Sequence, residues 1–129
     1  MKENEARRLL LSLLDGEGVE WIEESGWIRF LTRHDAMLWE TACRACDGAL
    51  LIYGSFPFRA SETDHARRTC EEINRSLVRG ALYLAEDGMP VYRCRAELDD
   101  IYGAEDRIRT ALHYSAQVIT CFWARLAGT

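Results

Sequence analysis

Two cysteines three residues apart, Cys43-Arg44-Ala45-Cys46, have the spacing that zinc sites and dithiol redox centres use. A structural zinc needs four ligands, and the chain has no second Cys-x-x-Cys and no His-x-x-x-His to complete a set. A reactive dithiol sits at a helix N-terminus, where the dipole lowers the thiol pKa. Here the pair falls in a strand running into a turn, where residues three apart point to opposite faces. The spacing therefore predicts structural thiols, one in the core and one near the turn. A thiol-based zinc-binding or redox protein using Cys43 and Cys46 is the alternative. The histidines, His34, His65 and His113, fall at a turn, a helix start and the last helix, and none has a carboxylate or cysteine at a useful spacing. Asp99-Asp100 and Glu105-Asp106 flank the start of the last helix and suit capping and dipole compensation. Glycines stand singly at turns, so no loop cradles a phosphate. No nucleophile, base and orienting group can be assembled, and the expectation is a protein without catalytic residues, metal or cofactor.

The elements that position these residues follow from periodicity. Ala6, Leu9, Leu10, Leu13 and Leu14 mark one face of an opening helix over residues 3–14, stopped by Gly16 and Gly18. Short runs of period two come next and predict strands over 27–32, 37–46 and 49–55, preceded by a short one at Val19 to Ile22. Asp47-Gly48 is the strongest turn, since a tight hairpin needs positive φ there. Ser61-Glu62-Thr63-Asp64 reads as a serine-capped helix start. Ala66, Cys70, Ile73, Leu77 and Val78 then form its buried face, and Arg79-Gly80 closes it. A second hairpin, Ala81 to Ala85 and Met89 to Leu98, is joined through Glu86-Asp87-Gly88. In the last helix, over 104–126, Ile108, Leu112, Ser115, Ile119, Phe122 and Leu126 make one stripe, widened by Ala111, Tyr114, Val118 and Cys121. A helix so apolar must be covered on more than one side, by the sheet and then by the opening helix or a second subunit.

Composition sets the outer bounds. With 129 residues, 48% hydrophobic and 29% charged, the chain suits a single domain over 1–129 with an ordinary core. Its 16 basic and 21 acidic residues give a formal charge of −5, which disfavours nucleic-acid binding. Lys2 is the only lysine, and the basic side is otherwise arginine. No window reaches the ~20 apolar residues of a membrane span. The opening Met1-Lys2-Glu3-Asn4-Glu5 carries acids where an export signal would be basic and then apolar, so a cytoplasmic protein with five reduced thiols is expected.

The resulting order, α-β-β-β-α-β-β-α, is that of an α+β protein with an antiparallel sheet flanked by helices. Glu72-Ile73-Asn74-Arg75, then Ala81-Leu82-Tyr83-Leu84-Ala85-Glu86-Asp87-Gly88 and Val91-Tyr92-Arg93-Cys94-Arg95-Ala96-Glu97-Leu98, resemble the YbjN family of bacterial sensory-transduction regulators. The element order is similar to the type III secretion chaperone-like fold of that family. The resemblance implies a non-enzymatic, homodimeric protein that acts by binding another, unidentified protein or peptide, with no nucleic acid and no membrane.

Strand parity suggests which surfaces would serve. If Ile28, Phe30, Trp39, Cys43, Leu82, Leu84, Tyr92 and Cys94 point inward, then Trp27, Arg29, Leu31, Leu38, Arg44, Tyr83, Val91, Arg93 and Arg95 point outward. Aromatics, aliphatics and arginines are the mixture enriched at protein interfaces. Trp27, Arg29, Arg93 and Arg95 are therefore the expected contacts of the outer face, and Ile119, Phe122 and Trp123 those of the helical stripe. Phe56 and Phe58, around Pro57, read as a loop plugging the edge of the core.

Overall fold

The computed structural model describes residues 1–129 and contains α1 (Glu3–Gly16), β1 (Trp21–Glu24), β2 (Trp27–His34), β3 (Met37–Cys46), β4 (Ala49–Ser55), α2 (Thr63–Asn74), β5 (Ala81–Leu84), β6 (Pro90–Glu97) and α3 (Ala104–Ala127). The fold is α+β, as the periodicities predict. Its six strands form one antiparallel sheet in the order β1-β2-β3-β4-β6-β5. The short strand expected at Val19 to Ile22 lies slightly later, and it closes on β2 through Ser25 and Gly26, both at positive φ, with Glu24 opposite Trp27. The Asp47-Gly48 turn joins β3 to β4 as expected, with Cys46 opposite Ala49. It also holds the start of α1: Asp47 Oδ1 accepts the Glu3 N–H at 2.9 Å, and the Gly48 N–H donates to the Met1 carbonyl at 2.8 Å. An orphan amide of the first helical turn is thus satisfied from the sheet.

One face of the sheet receives all three helices. Ile28 and Phe30 from β2, Trp39 and Cys43 from β3, Leu50 and Ile52 from β4, and Tyr92, Cys94 and Ala96 from β6 point to that side. Onto them α1 lays Ala6, Leu10, Leu13 and Leu14, α2 lays Cys70 and Ile73, and α3 lays Ile108, Ala111, Val118, Ile119 and Leu126. These residues belong to one continuous cluster of 25 buried side chains. Each fully buried Leu or Ile in it contributes roughly 1.5–3 kcal/mol relative to exposure. Helix α3 crosses β6 and β4 and touches α1 and β2.

Helix α2 departs from the sequence pattern at both ends. Its N-cap position is Glu62, without a side-chain cap, and the Ser61 N–H instead donates to the Thr129 carbonyl at 3.0 Å. It stops at Asn74 and does not carry the apolar pattern on to Val78, which is exposed. The cause is the Asn74 side chain, which acts as a substitute strand for β5. It accepts the Leu82 N–H at 2.7 Å and donates to the Leu82 carbonyl at 2.8 Å, closing the outer edge of the sheet. Gly80, at φ 73°, completes the return, because a Cβ there would collide with the Arg93 carbonyl oxygen and the Tyr92 hydroxyl. That hydroxyl donates to the Arg79 carbonyl at 2.6 Å, pinning the same corner.

Replacing Asn74 by Ala removes two hydrogen bonds from a part-buried edge and should cost about 2–3 kcal/mol in urea unfolding. Gly80→Ala should cost at least as much. A loss below about 0.5 kcal/mol in either variant, the range of an uninvolved surface position, would contradict this account of the corner.

Candidate protein-binding face

The opposite face of the sheet carries no helix, and its residues run in rows fixed by register. One row is Ile22, Arg29, Ala42, Tyr53, Arg93 and Ala81. A second is Leu31, Glu40, Ser55, Val91 and Tyr83, and a third holds Arg44, Leu51 and Arg95. Trp27 meets Tyr53 edge to face at 5.4 Å, and the Arg44 guanidinium lies over the Trp27 ring at 5.6 Å. At the β5–β6 end of the same face Arg93 lies over Tyr83 at 5.8 Å. Arg29 pairs with Glu40 at 2.6 Å and Arg95 with Glu97 at 2.7 Å. Burial pushes the Tyr83 hydroxyl pKa up, as does neighbouring Tyr53, while Arg93 opposes the shift.

Trp27, Arg29, Arg93 and Arg95 therefore share one surface. Leu31 is 62% exposed, and Leu38 and Tyr83 are also open to solvent. Val91, expected outward and open, is instead 7% exposed, lying between Ser55 and Tyr83 in register. Tyr53 and Leu51 belong to the face as well. The alternation of β4, with Leu50 and Ile52 inward, is the sequence signal that identifies them.

The helical stripe lies elsewhere. Ile119 is fully buried between α3 and the sheet, and Phe122 and Trp123 are half-buried against the core. Trp123 contacts Trp39, Phe56 and Phe58 with ring centroids 6.1, 5.9 and 5.4 Å apart, so it seals the end of the core together with the Phe56–Phe58 loop. The apolar surplus of α3 is covered within the chain by the sheet, α1 and this loop, and the helix needs no second subunit to cover it. No large hydrophobic residue of α3 is exposed.

The residues with chemical potential remain apart. Cys43 is fully buried, and burial, reinforced by neighbouring Cys94, pushes its thiol far above the ordinary range. That is opposite to the thiolate a zinc site or dithiol centre requires. Cys46 lies half-exposed at the end of β3 and points to the other side of the sheet. No three His, Cys, Asp or Glu side chains are grouped to hold a metal ion. Glu105 and Asp106 in the first turn of α3 pair with Arg109 at 3.2 and 3.7 Å, and Asp100 Oδ1 accepts the Tyr102 N–H at 2.8 Å. No helix is long and apolar enough to cross a membrane.

Comparison of the chain with protein-family models, curated proteins and solved structures finds no match.

Two outcomes follow from these placements. Alkylation of the native protein should modify Cys121 and Cys46 and spare Cys43, Cys70 and Cys94 until denaturant is added, as read by intact mass. Rapid labelling of Cys43 would contradict its burial. Trp123→Ala should destabilise the fold by about 2–4 kcal/mol, because it opens a cavity beside Trp39 and Phe56.

Proposed function

We propose that this chain is a non-enzymatic protein-binding module, chaperone-like or regulatory as the resemblance to the YbjN family implies, and that it docks its partner on the outer sheet face. The observation that carries this reading is the bare face itself. Six strands about 4.8 Å apart, at about 3.3 Å per residue, present a surface of roughly 700 Å², close to one side of a standard protein interface. Its flat aromatics are half-held by arginines, which limits the entropy lost when a partner immobilises them.

The charge of the face selects the partner's chemistry. Arg29, Arg33, Arg44, Arg93 and Arg95 stand against Glu24, Glu40 and Glu97, so the face is cationic in a chain of formal charge −5. Arg44 and Arg93 are engaged by rings and remain free to take a carboxylate. The fitting partner is a segment mixing apolar and acidic side chains. Two copies meeting through this face would oppose their arginines, which makes self-pairing the weaker use of it.

A short synthetic peptide alternating leucine with aspartate should shift the backbone amides of β2, β3 and β6 in the labelled protein, and its leucine-lysine counterpart should not. Arg44→Glu combined with Arg93→Glu should weaken the aspartate peptide at least about tenfold without altering the fold. Equal binding of both peptides, or shifts confined to α3, would overturn the reading.

A further inference from the structure

Strand β6 outruns its neighbour. Its register with β5 ends where Ala81 stands opposite Arg93, yet β6 continues to Glu97 with β4 on its other side. The notch left beside it is a cleft of about 550 Å³, within the range of small-molecule sites. Leu51 and Tyr53 of β4, which share a face with Arg93 and Arg95, supply its apolar floor together with Ala81. An open strand edge ordinarily offers both donors and acceptors. Here the acceptors are taken: Arg79 Nη2 donates to the Arg95 carbonyl at 2.8 Å, and Arg107 Nε donates to the Glu97 carbonyl at 2.8 Å. In an antiparallel strand the N–H and C=O of one residue point the same way, so the Arg95 N–H faces the notch too. There β5 does not reach it, and nothing in the chain accepts from it. The edge is left with donors.

Arginines surround these donors. Arg93 and Arg95 stand on the outer face of β6, and Arg79 reaches the open edge from the helical side. The one carboxylate of the cleft, Glu97, is taken by Arg95 at 2.7 Å, so Arg79 and Arg93 have no acidic partner there. Each is steadied by a ring instead, Arg79 over Tyr114 at 6.0 Å and Arg93 over Tyr83 at 5.8 Å. A guanidinium lying on a ring keeps its in-plane N–H groups for another ligand. Two guanidiniums and a backbone N–H offer more donors than the two oxygens of a carboxylate can use, whereas a phosphate monoester brings three oxygens and close to two negative charges. We propose that this notch binds a small organic phosphate monoester with a flat apolar body: its phosphate on Arg79, Arg93 and the Arg95 N–H, its body on Leu51 and Tyr53. The docking face needs neither Arg79 nor the edge of β6, so the two readings stand or fall separately.

The site is tested by titrating phenyl phosphate into the isotope-labelled protein, with benzenesulfonate as a singly charged control of similar shape. Phenyl phosphate should produce saturable shifts centred on the backbone amides of Arg95 and Ala81, and benzenesulfonate should bind at least about fivefold more weakly. Inorganic phosphate should also bind more weakly than phenyl phosphate, because it leaves Leu51 and Tyr53 uncovered. Arg79→Gln and Arg93→Gln should each weaken phenyl phosphate at least about fivefold. If Arg79→Gln does not fold for want of its bond to β6, Arg93→Gln decides alone. Arg33→Glu, on β2 towards the other end of the outer face, changes the net charge by more but lies beyond a Debye length, and it should alter the affinity less than about twofold. Equal affinity for phenyl phosphate and benzenesulfonate, inorganic phosphate binding as tightly as phenyl phosphate, shifts centred on β2 and β3, or an Arg93→Gln variant that binds as before would overturn the proposal, whether or not the leucine-aspartate peptide still docks.

Discussion

Helix α3 lies so close to β4 that a Cβ on Gly54 would collide with Ile119 Cδ1. The absence of a side chain at that point of the strand lets Ile119 lie directly on the sheet. This approach buries Ile119 completely and brings Trp123 down onto Trp39 and Phe56. A helix held further out would have left its apolar circumference exposed and in need of a second copy. With α1 and α2 packed on the same side, the apolar surfaces of the helices are used up by one face of the sheet, and the other face is left bare.

A bare sheet face is useful only if the edges do not compete with it. Unpaired strand edges invite strand addition and aggregation. Here β5 is closed by the amide of Asn74, and β1 is short and acidic, with Glu23 held by Arg7 through two contacts of 2.7 Å. That hydrogen-bonded pair also lowers the Glu23 pKa. The sheet therefore presents side chains for recognition more readily than backbone, and the arginine-over-aromatic contacts of β2, β3, β5 and β6 give that face a defined shape.

Much of this was legible in the sequence because local rules agreed. Period two gave β3 and β4 to the residue, and Asp47-Gly48 marked their turn. The four-and-three spacing of Ile108 through Leu126 located α3. Parity placed Trp27, Arg29, Arg93 and Arg95 together, since alternation alone decides which side of a strand a residue takes. The misses are tertiary. Leu77 and Val78 continue the helical period of α2, yet the helix ends where Asn74 finds Leu82, a contact eight residues away that no local pattern encodes. The partner of α3 was equally hidden, because periodicity reports that a helix must be covered and not what covers it. Ser115 reads as part of a buried stripe, and only its missing hydrogen-bond partner distinguishes it.

The two faces of the sheet thus have different characters: one packed beneath three helices, and one flat, cationic and aromatic. The measurement that tests this division most directly is hydroxyl-radical footprinting of the isolated protein, read residue by residue in a mass spectrometer. Ile22, Leu31, Leu38 and Tyr83 should oxidise readily, while Trp39, Phe56, Tyr92 and Ile119 should be protected until the protein unfolds. Protection of the first group equal to that of the second would mean that the outer face is covered. Reactivity of Ile119 matching that of Leu31 would mean that α3 does not sit on the sheet, and either result would contradict the account.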